Sequence, residues 1–262
     1  MKKQLTIVKV GGKIVEEESA LAELIEQFKQ IKGPKLLVHG GGRSATRMAE
    51  AMGVETKMVN GRRITDKQML KVVTMVYAGL VNKNIVAMLQ ASGLNAVGLT
   101  GADGNSILSH KREVGDIDYG HVGDVDEVNA LFLSQLLYSG VIPVMVPITH
   151  DGKGGLLNTN ADTIAAACAT GLAELFEVKL IYCFEKKGVL SDPNNEDSVI
   201  TKLTPSIFKR YLDEEVIVDG MIPKLDNAFE ALNKGVQEVV ITSVNQVSDS
   251  NLGTTIVLSE KN

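Results

Sequence analysis

Two lysines stand at places in this sequence where an ammonium group is unfavourable unless an anion lies nearby. Lys9 interrupts the apolar run at residues 5–10, where burial of an unpaired charge is costly. Lys224 falls in the first turn of a predicted helix, where the helix dipole disfavours a cation. A phosphate partner, or for Lys224 the carboxylate of Asp162, would offset these costs. Each residue also has a simpler interpretation. Lys9 could lie on an edge strand and extend its ammonium group into solvent, and Lys224 could be a surface side chain. Asp162 could simply cap a helix.

Two glycine turns follow predicted strands and offer backbone N–H groups to an anion. Gly11-Gly12 follows the first strand, and Gly40-Gly41-Gly42 follows the apolar run at residues 36–38. Glycine lets these N–H groups approach an anion without obstruction by a Cβ atom, and a following helix N-terminus adds partial positive charge. The second turn, together with Ala45, also fits a loose dinucleotide fingerprint. That turn alone therefore leaves both a nicotinamide enzyme and a nucleotide-phosphate enzyme possible.

Other familiar site patterns are missing from the sequence. No segment matches the P-loop pattern G-x-x-x-x-G-K-[S/T], and the turn after the first strand lacks the fingerprint that a dinucleotide-binding fold carries there. The four histidines show no metal-ligand spacing; they are His39, His110, His121 and His150. Cys168 and Cys183 each lie inside an apolar run, which predicts buried thiols and argues against a disulfide or a zinc site.

The composition is typical of a soluble globular protein. Of the 262 residues, 44% are hydrophobic and 23% are charged, and the formal net charge is −5. A chain with this charge and no basic block is not expected to bind nucleic acid as its main partner. The apolar stretch near the N-terminus is too short for a signal peptide or a membrane span. We therefore expect a cytoplasmic protein without a membrane partner.

Alternating strand and helix patterns predict an α/β protein with a mainly parallel sheet covered on both faces. The predicted strands lie at residues 5–10, 36–38, 95–99, 141–146, 178–184, 236–242 and 254–258. The predicted helices lie at residues 16–31, 44–52, 66–92, 129–138, 163–175, 205–211 and 219–233, and the third of these is either one helix or two joined near Gly79. Asn60-Gly61 predicts a hairpin turn, and the glycine-rich residues 101–126 predict an excursion from the main sheet.

Five motifs, in this order along the chain, resemble the amino-acid kinase family. They are Lys9-Val10-Gly11-Gly12, His39-Gly40-Gly41-Gly42, Asn60-Gly61-Arg62-Arg63-Ile64-Thr65, Asn158-Thr159-Asn160-Ala161-Asp162 and Asp219-Gly220-Met221-Ile222-Pro223-Lys224. The resemblance covers essentially the whole chain. It implies a three-layer αβα sandwich on a mainly parallel open sheet. An N-terminal lobe (1–175) would bind an acylated amino acid and form a dimer, and a C-terminal lobe (176–262) would bind ATP.

The resemblance implies that the chain uses ATP to phosphorylate the side-chain carboxylate of N-acetyl-L-glutamate, giving an acyl phosphate for arginine biosynthesis. Lys9 and Lys224 would neutralise the phosphoryl group during transfer, and Asp162 would hold both ammonium groups in place. No general base is needed, because a carboxylate is already ionised at neutral pH. Mg²⁺ would arrive bound to ATP, so no metal site formed by the chain itself is expected.

The remaining roles implied by the resemblance divide between the substrate and the nucleotide. Arg63 would clamp the substrate α-carboxylate with its planar fork, and Asn158 would bind the acylated amino acid on a loop supported by Asn160. Gly41 and Gly42 would face the same substrate. The expected nucleotide-binding residues are Gly11, Gly12, Glu185, Gly220 and Met221, with Glu185 at a position where the family commonly has aspartate.

Several other functions stay open at this stage. Within the family these are the same reaction on N-succinyl-L-glutamate and a kinase acting on carbamate, aspartate or a nucleoside monophosphate. Arg63 and Asn158 favour an acylated glutamate over the second group. A non-catalytic amino-acid sensor is disfavoured because Lys9, Asp162 and Lys224 are all present, and a nicotinamide oxidoreductase is the most distant possibility. Because the chain starts directly at its first strand, the resemblance also implies an arginine-insensitive homodimer.

Overall fold

The strands correspond closely to the β-branched runs of the sequence. The computed structural model describes residues 2–59, 61–192, 194–217, 221–249 and 252–259. In chain order its strands are β1 (Lys3–Val10), β2 (Lys35–His39), β3 (Met58–Val59), β4 (Arg62–Arg63), β5 (Ala96–Leu99), β6 (Ile107–Lys111), β7 (Gly123–Val128), β8 (Ile142–Met145), β9 (Ile148–His150), β10 (Leu156–Asn158), β11 (Phe176–Phe184), β12 (Lys202–Leu203), β13 (Glu238–Ser243) and β14 (Thr254–Ile256).

The seven predicted helices are all present, together with one that was not predicted. In chain order the helices are α1 (Gly12–Glu16), α2 (Glu18–Gln30), α3 (Gly42–Ala51), α4 (Lys67–Thr74), α5 (Asn82–Ala91), α6 (Ala130–Tyr138), α7 (Ala161–Leu172), α8 (Pro205–Asp213) and α9 (Ile222–Asn233). The short helix α1 was not predicted. A π-helical segment, Met75–Val81, joins α4 to α5, so the region that left two possibilities open is one continuous helix.

An eight-stranded sheet forms the middle layer, in the order β12-β14-β13-β11-β1-β2-β8-β5. Neighbouring strands are parallel throughout except for β13 and β14, which are antiparallel. The chain starts in the middle of this sheet, because β1 pairs with β2 on one side and with β11 on the other. The mainly parallel sheet predicted from the sequence is therefore confirmed.

Helices cover both faces of the sheet, and each face has its own hydrophobic core. Successive side chains of a strand point to opposite faces, so Leu5 and Ile7 of β1 lie in one core and Val8 and Val10 in the other. The first core includes buried residues of α6, α7 and α9, and the second includes buried residues of α2, α3, α4 and α5. This arrangement confirms the three-layer αβα fold. Lys9 continues the row of Leu5 and Ile7, so its side chain points to the face covered by α7.

The two cysteines lie in these cores, as predicted. Cys168 belongs to the first core and Cys183 to the second, and both are free thiols. Burial raises the pKa of each thiol to about 12, so neither is ionised near neutral pH.

Residues 101–128 leave the main sheet, as expected, and contribute to a second one. This sheet has the order β10-β9-β6-β7, with β6 antiparallel to β7 and parallel to β9. The strands β3 and β4 form the predicted hairpin. Asn60, in its turn, lies outside the described residues. The hairpin and the second sheet stand at the same end of the molecule, because Thr65 forms a bridge to Gly120 and Val122 forms one to Asn158.

One described helix, Lys67–Ala91, is long and apolar enough to cross a membrane by length and composition alone. Its buried side chains, among them Met69, Val72 and Ile85, belong to the second core. Packing within the protein therefore accounts for part of its apolar composition.

Candidate active site

The carboxyl ends of three neighbouring strands, β1, β2 and β11, meet at one edge of the large sheet. Their register places Val10 beside His39 on one side and beside Cys183 on the other. In open α/β sheets, ligands bind in crevices at this edge, where loops from adjacent strands diverge. Both glycine turns begin here, as does the segment that follows Phe184.

The two glycine turns lie against each other. A Cβ atom built on Gly12 would lie 3.8 Å from the backbone nitrogen of Gly42 and 4.0 Å from that of Gly41. Helices α1 and α3 begin at these turns, with Gly11 and Gly41 as N-caps that provide no side-chain hydrogen bond. In the first turn of α3 the N–H of Ser44 donates to the Glu16 carboxylate at 2.6 Å, but among the described residues no side-chain acceptor is found for the N–H groups of the glycines that begin the two helices. Such groups favour an anion. The fold therefore brings the two glycine turns together.

Lys9, Asp162 and Lys224 form one charged cluster. Lys9 Nζ lies 2.7 Å from Asp162 Oδ1, and Lys224 Nζ donates a hydrogen bond of 2.6 Å to Asp162 Oδ2. The side chains of Lys9 and Asp162 are only 8% and 9% exposed, whereas that of Lys224 is 24% exposed. Both lysines therefore have the anionic partner that their sequence positions require.

Burial and the attraction between opposite charges shift the pKa values of Lys9 and Asp162 in opposite directions. Burial lowers the pKa of Lys9, an effect that the charge of Asp162 opposes and the charge of Lys224 reinforces. For Asp162, burial alone would raise the pKa, but the attraction of Lys9 and Lys224 prevails and holds the pKa below its usual range. One carboxylate thus faces two ammonium groups in a nearly dry setting, and the cluster favours a further anion.

Asp162 is held at the start of α7. The side-chain oxygen of Asn160 accepts hydrogen bonds from the backbone N–H groups of Asp162 and Thr163, at 2.7 and 3.3 Å, and so caps the helix. The hydroxyl of buried Tyr182 on β11 donates to the carbonyl oxygen of Asp162 at 3.4 Å. This cap fixes the position of the Asp162 carboxylate at the start of α7.

Lys224 reaches the cluster from the first turn of α9. This helix begins after Met221, which provides no side-chain cap, and Pro223 lies in the first turn, where a missing N–H is harmless. Gly220, expected to contact the nucleotide, lies outside the described residues. Glu185, expected to do the same, pairs with Lys13 at 3.0 Å, and both side chains are largely exposed. Its contact with a nucleotide stays a prediction.

A cavity lies beside the charged cluster. Its walls come from the second glycine turn, the β3–β4 hairpin, the second sheet and the start of α7. The residues around it are Gly40, Gly41, Gly42, Met58, Gly61, Arg62, Arg63, Tyr77, Arg112, Val122, Pro147, Asn158, Thr159, Asn160 and Ala161. All five residues expected to bind the acylated amino acid are among them. The structure therefore brings them together.

Arg63 is buried and already has several protein partners. Its Nη2 donates to the carbonyl oxygen of Gly42 and to the hydroxyl of Thr46, both at 2.8 Å, and its Nη1 donates to the hydroxyl of Thr56 at 3.3 Å. Through these hydrogen bonds the guanidinium of Arg63 stabilises the second glycine turn. A carboxylate that binds Arg63 would have to share or replace some of these partners.

Asn158 is also buried, and its amide donates to the hydroxyl of Thr65 at 3.0 Å. Neighbouring Thr159 donates to the carbonyl oxygen of Gly123 and contacts the hydroxyl of Thr149. The bond of Asn158 joins the end of β10 to the segment that follows the β3–β4 hairpin, and those of Thr159 hold the start of the next segment against the second sheet. Together they fix one wall of the cavity.

His39 is buried and has a structural role. A carbonyl oxygen only accepts, so the contact of 2.7 Å with Gly40 requires that Nδ1 of His39 donates, and Nε2 then accepts from Asn82 at 3.1 Å. Burial lowers the pKa of His39 to about 4, so the ring is neutral near pH 7. This network fixes the end of β2 immediately before the second glycine turn.

Three side chains at the site were not singled out from the sequence. The ring of Tyr77, in the π-helical segment, lies so close to Gly41 that a Cβ atom there would be 3.1 Å from Tyr77 Cδ1. Arg112 lines the cavity and is paired with Asp124 by several hydrogen bonds. The ring of Phe184 lies near both lysines of the charged cluster. Each belongs to a segment whose local pattern indicates only a helix, an edge strand or a buried strand, so no sequence signal identified it.

Comparison with known proteins finds a family model that matches most of the chain and relatives that are similar to it over nearly its full length. Residues 4–243 match the model of the amino acid kinase family. The chain is 63% identical over 256 residues to an acetylglutamate kinase of Phocaeicola vulgatus, covering 98% of this chain and 99% of that protein. It is 61% identical to an acetylglutamate kinase of Bacteroides thetaiotaomicron, with the same coverage. The crystal structure of smu.665 from Streptococcus mutans UA159 superposes with a TM-score of 0.80 at 29% identity, covering 97% of this chain and 99% of the other.

Proposed function

The chain belongs to the amino acid kinase family, and we propose that it transfers the γ-phosphoryl group of ATP to the side-chain carboxylate of N-acetyl-L-glutamate. The observation that carries this proposal is the cluster of Lys9, Asp162 and Lys224, which lies beside the paired glycine turns. The full-length similarity to acetylglutamate kinases supports the choice of acceptor. The product is an acyl phosphate, and the pathway is arginine biosynthesis.

The reaction requires that anions be brought together, because both the phosphate chain and the acceptor are negatively charged. The acceptor carboxylate is ionised near neutral pH and attacks phosphorus directly, so no group has to remove a proton. Catalysis then consists of positioning and charge neutralisation. Lys9 and Lys224 supply two positive charges, and N–H groups of the two glycine turns supply donors for the phosphoryl oxygens. Asp162 keeps both ammonium groups at the point of transfer.

We assign the nucleotide to the side of the site formed by Gly11, Gly12, Glu185 and the start of α9. Mg²⁺ would be bound by the phosphates of ATP and would add to the neutralisation of their charge. Within the described residues, no group of three or more His, Cys, Asp and Glu side chains could hold a metal ion.

We assign N-acetyl-L-glutamate to the cavity beside the second glycine turn. Its reacting carboxylate would point toward Gly41 and Gly42, and its α-carboxylate toward Arg63 and the exposed Arg62. Asn158, which lines the wall formed by the start of α7, would bind the acylated amino group. A buried arginine suits a carboxylate because its donors form a rigid fork.

An assay of ADP release, coupled to hydroxylamine trapping of the acyl phosphate, tests the proposal. We expect turnover on N-acetyl-L-glutamate and no turnover on carbamate or aspartate. N-succinyl-L-glutamate is the second candidate acceptor, because Arg62 and Arg112 also line the cavity and would suit an additional carboxylate. Turnover on the succinyl compound alone would reassign the acyl group, and absence of turnover on both acylated glutamates would refute the proposed activity.

We further propose that the enzyme is cytoplasmic and a homodimer. The resemblance to the family supports the dimer, and the exposed side chains of Met52, Met75 and Leu80 offer an apolar surface for it on the N-terminal lobe. Light scattering coupled to size-exclusion chromatography would measure the mass in solution. A mass of one chain of 28.1 kDa would contradict the dimer.

A further inference from the structure

The ring of Phe184 contacts both lysines of the charged cluster. Lys9 Nζ lies 5.5 Å from the ring centroid and Lys224 Nζ lies 4.9 Å from it. Both distances are within the range at which an ammonium group is attracted to an aromatic face. Phe184 is the last residue of β11, so the strand that borders the site delivers the ring to the point where the two lysines converge.

The ring is held in place by its neighbours. It stacks on Tyr182 of the same strand, with a centroid distance of 6.3 Å and an angle of 12° between the planes. Tyr182 is itself fixed by the hydrogen bond from its hydroxyl to the backbone of Asp162. On the other side, a Cβ atom on Gly11 would lie 4.0 Å from Phe184 Cδ1, so the first glycine turn borders the ring.

The ring of Phe184 attracts both ammonium groups without adding a charge to the cluster. Asp162 on α7 is the carboxylate that faces both ammonium groups, and the hydroxyl of Tyr182 on β11 lies beside Asp162. The Cys183 thiol of β11 belongs to the core on the opposite face of the sheet. Two cations therefore share one anion, and they repel each other. A second carboxylate would remove the net positive charge that attracts the phosphoryl group. An aromatic face attracts ammonium groups through its quadrupole while carrying no net charge and no titratable proton.

We propose that Phe184 is a positioning residue for phosphoryl transfer, which keeps the ammonium groups of Lys9 and Lys224 charged and directed at the transfer point. The inference rests on the proposed kinase activity for its catalytic consequence. Its structural part, the effect of the ring on the two lysines, does not depend on that activity and is measured separately.

The catalytic test compares Phe184→Leu with Phe184→Tyr. Leucine retains an apolar side chain but has no aromatic face, whereas tyrosine retains the face. We expect Phe184→Leu to lower kcat about tenfold, in keeping with the strength of such contacts, with a much smaller change in KM for N-acetyl-L-glutamate. The alkaline limb of the kcat profile should shift to lower pH, because an ammonium group without the ring loses its proton more readily. Phe184→Tyr should restore both.

The second measurement follows the two lysines directly. In protein with ¹³Cε-labelled lysine, the signals of Lys9 and Lys224 are assigned by single replacements, and their titration is compared between the wild type and Phe184→Leu. We expect the titration of Lys9, the more deeply buried of the two, to move to lower pH in the variant. A matched control is Phe132→Leu, which removes a partly buried ring from α6, away from the site. It should leave the lysine titrations and kcat unchanged.

Unchanged lysine titrations in a folded Phe184→Leu protein would overturn the proposal, whatever the activity. A shift equal to that of Phe132→Leu would also overturn it, because the effect would then come from general loosening of the core. If the wild type fails to phosphorylate acylated glutamate, the proposed function fails, and the titrations still decide the role of the ring. Melting curves of all four proteins establish that they are folded.

Discussion

Asp162 is one carboxylate that faces two ammonium groups, so the cluster carries a net positive charge before any substrate binds. This imbalance is unfavourable for a purely structural ion pair, because burial of charge is costly unless it is compensated. It is favourable for a site that receives a phosphoryl group, since the missing anion is then the substrate. The excess positive charge therefore supports the proposed catalytic role of the cluster over a simple capping role for Asp162.

Replacement of Lys224 by alanine tests this interpretation. We expect Lys224→Ala to lower kcat about 100-fold or more, since it removes a charge aimed at the transition state. The matched control is Lys234→Ala on the same helix, where an exposed ion pair with Glu230 contributes little. Steady-state kinetics on both variants make the comparison. A Lys224→Ala protein with near-wild-type kcat would show that its assigned role is wrong, and the same reasoning applies to Lys9→Ala.

Arg63 is expected to act on substrate binding more than on the chemical step. In Arg63→Lys a single ammonium replaces the planar fork, so the contacts with Gly42 and Thr46 cannot both be kept. We expect KM for N-acetyl-L-glutamate to rise about tenfold or more, with a smaller change in KM for ATP. Arg210→Lys on α8 is the control, and its KM values should match the wild type. An unchanged KM in Arg63→Lys would remove Arg63 from the carboxylate site.

His39 predicts a pH dependence of stability. Its pKa is about 4 in the folded protein and about 6.5 in an unfolded chain, so the unfolded state binds a proton first as pH falls. Stability should therefore be full above about pH 6.5 and decline toward pH 4, with a loss of about 2 kcal/mol from this residue between pH 7 and pH 5. Urea unfolding at the two pH values measures it. His39→Gln should show a smaller loss between them than the wild type, and an equal loss would refute the assignment.

The N-termini of three helices define the candidate site. Helices α3, α7 and α9 all begin at the edge where β1, β2 and β11 end, and they bring the second glycine turn, Asp162 and Lys224 to that edge. The sequence predicted these elements because their signals are local: strand composition, glycine turns and a capping asparagine. It left the long helix at residues 67–91 ambiguous, and it did not predict α1.

Two asparagine caps provide a matched test of whether the start of α7 has a specific role in the site. Asn160 caps α7 beside Asp162, and Asn129 caps α6 through the N–H of Phe132 at 3.1 Å. Removal of either cap by an alanine substitution should cost about 1 kcal/mol of stability. We expect only Asn160→Ala to lower kcat as well, because the first turn of α7 holds the carboxylate between the lysines. Denaturant unfolding and kcat are measured on both variants. Equal effects on kcat would contradict a specific role for the α7 start.

Pairing between distant segments was harder to predict than the elements themselves. Residues 101–126 read as an excursion, but no local signal indicated that β6 would pair with β9. The meeting of Lys9, Asp162 and Lys224 likewise depends on strand order, because these residues are separated by most of the chain. Their convergence followed from the family resemblance, whereas Phe184 and Tyr77, which match no quoted motif, appeared only in three dimensions.

At the scale of the whole molecule, one sheet runs through both proposed lobes. The boundary after residue 175 falls between α7 and β11, yet β11 pairs with β1 along eight residue positions, and the first core contains side chains from both sides of the boundary. The candidate site lies at the boundary between the proposed lobes, with Lys9 and Asp162 from one lobe and Lys224 from the other. The pairing of β1 with β11 therefore joins the lobes beside the charged cluster.

This continuity predicts that the lobes unfold together. Separation of β1 from β11 would expose the first core, so an intermediate with one folded lobe should be scarce. We expect a single calorimetric transition, and we expect N-acetyl-L-glutamate alone and ADP alone each to raise the temperature of that whole transition, since a ligand of the native state stabilises the entire cooperative unit. Scanning calorimetry with each ligand in turn makes the measurement. A transition that splits, with each ligand moving a different part, would show instead that residues 1–175 and 176–262 fold as independent domains, and the shared cluster would then have to form after both had folded.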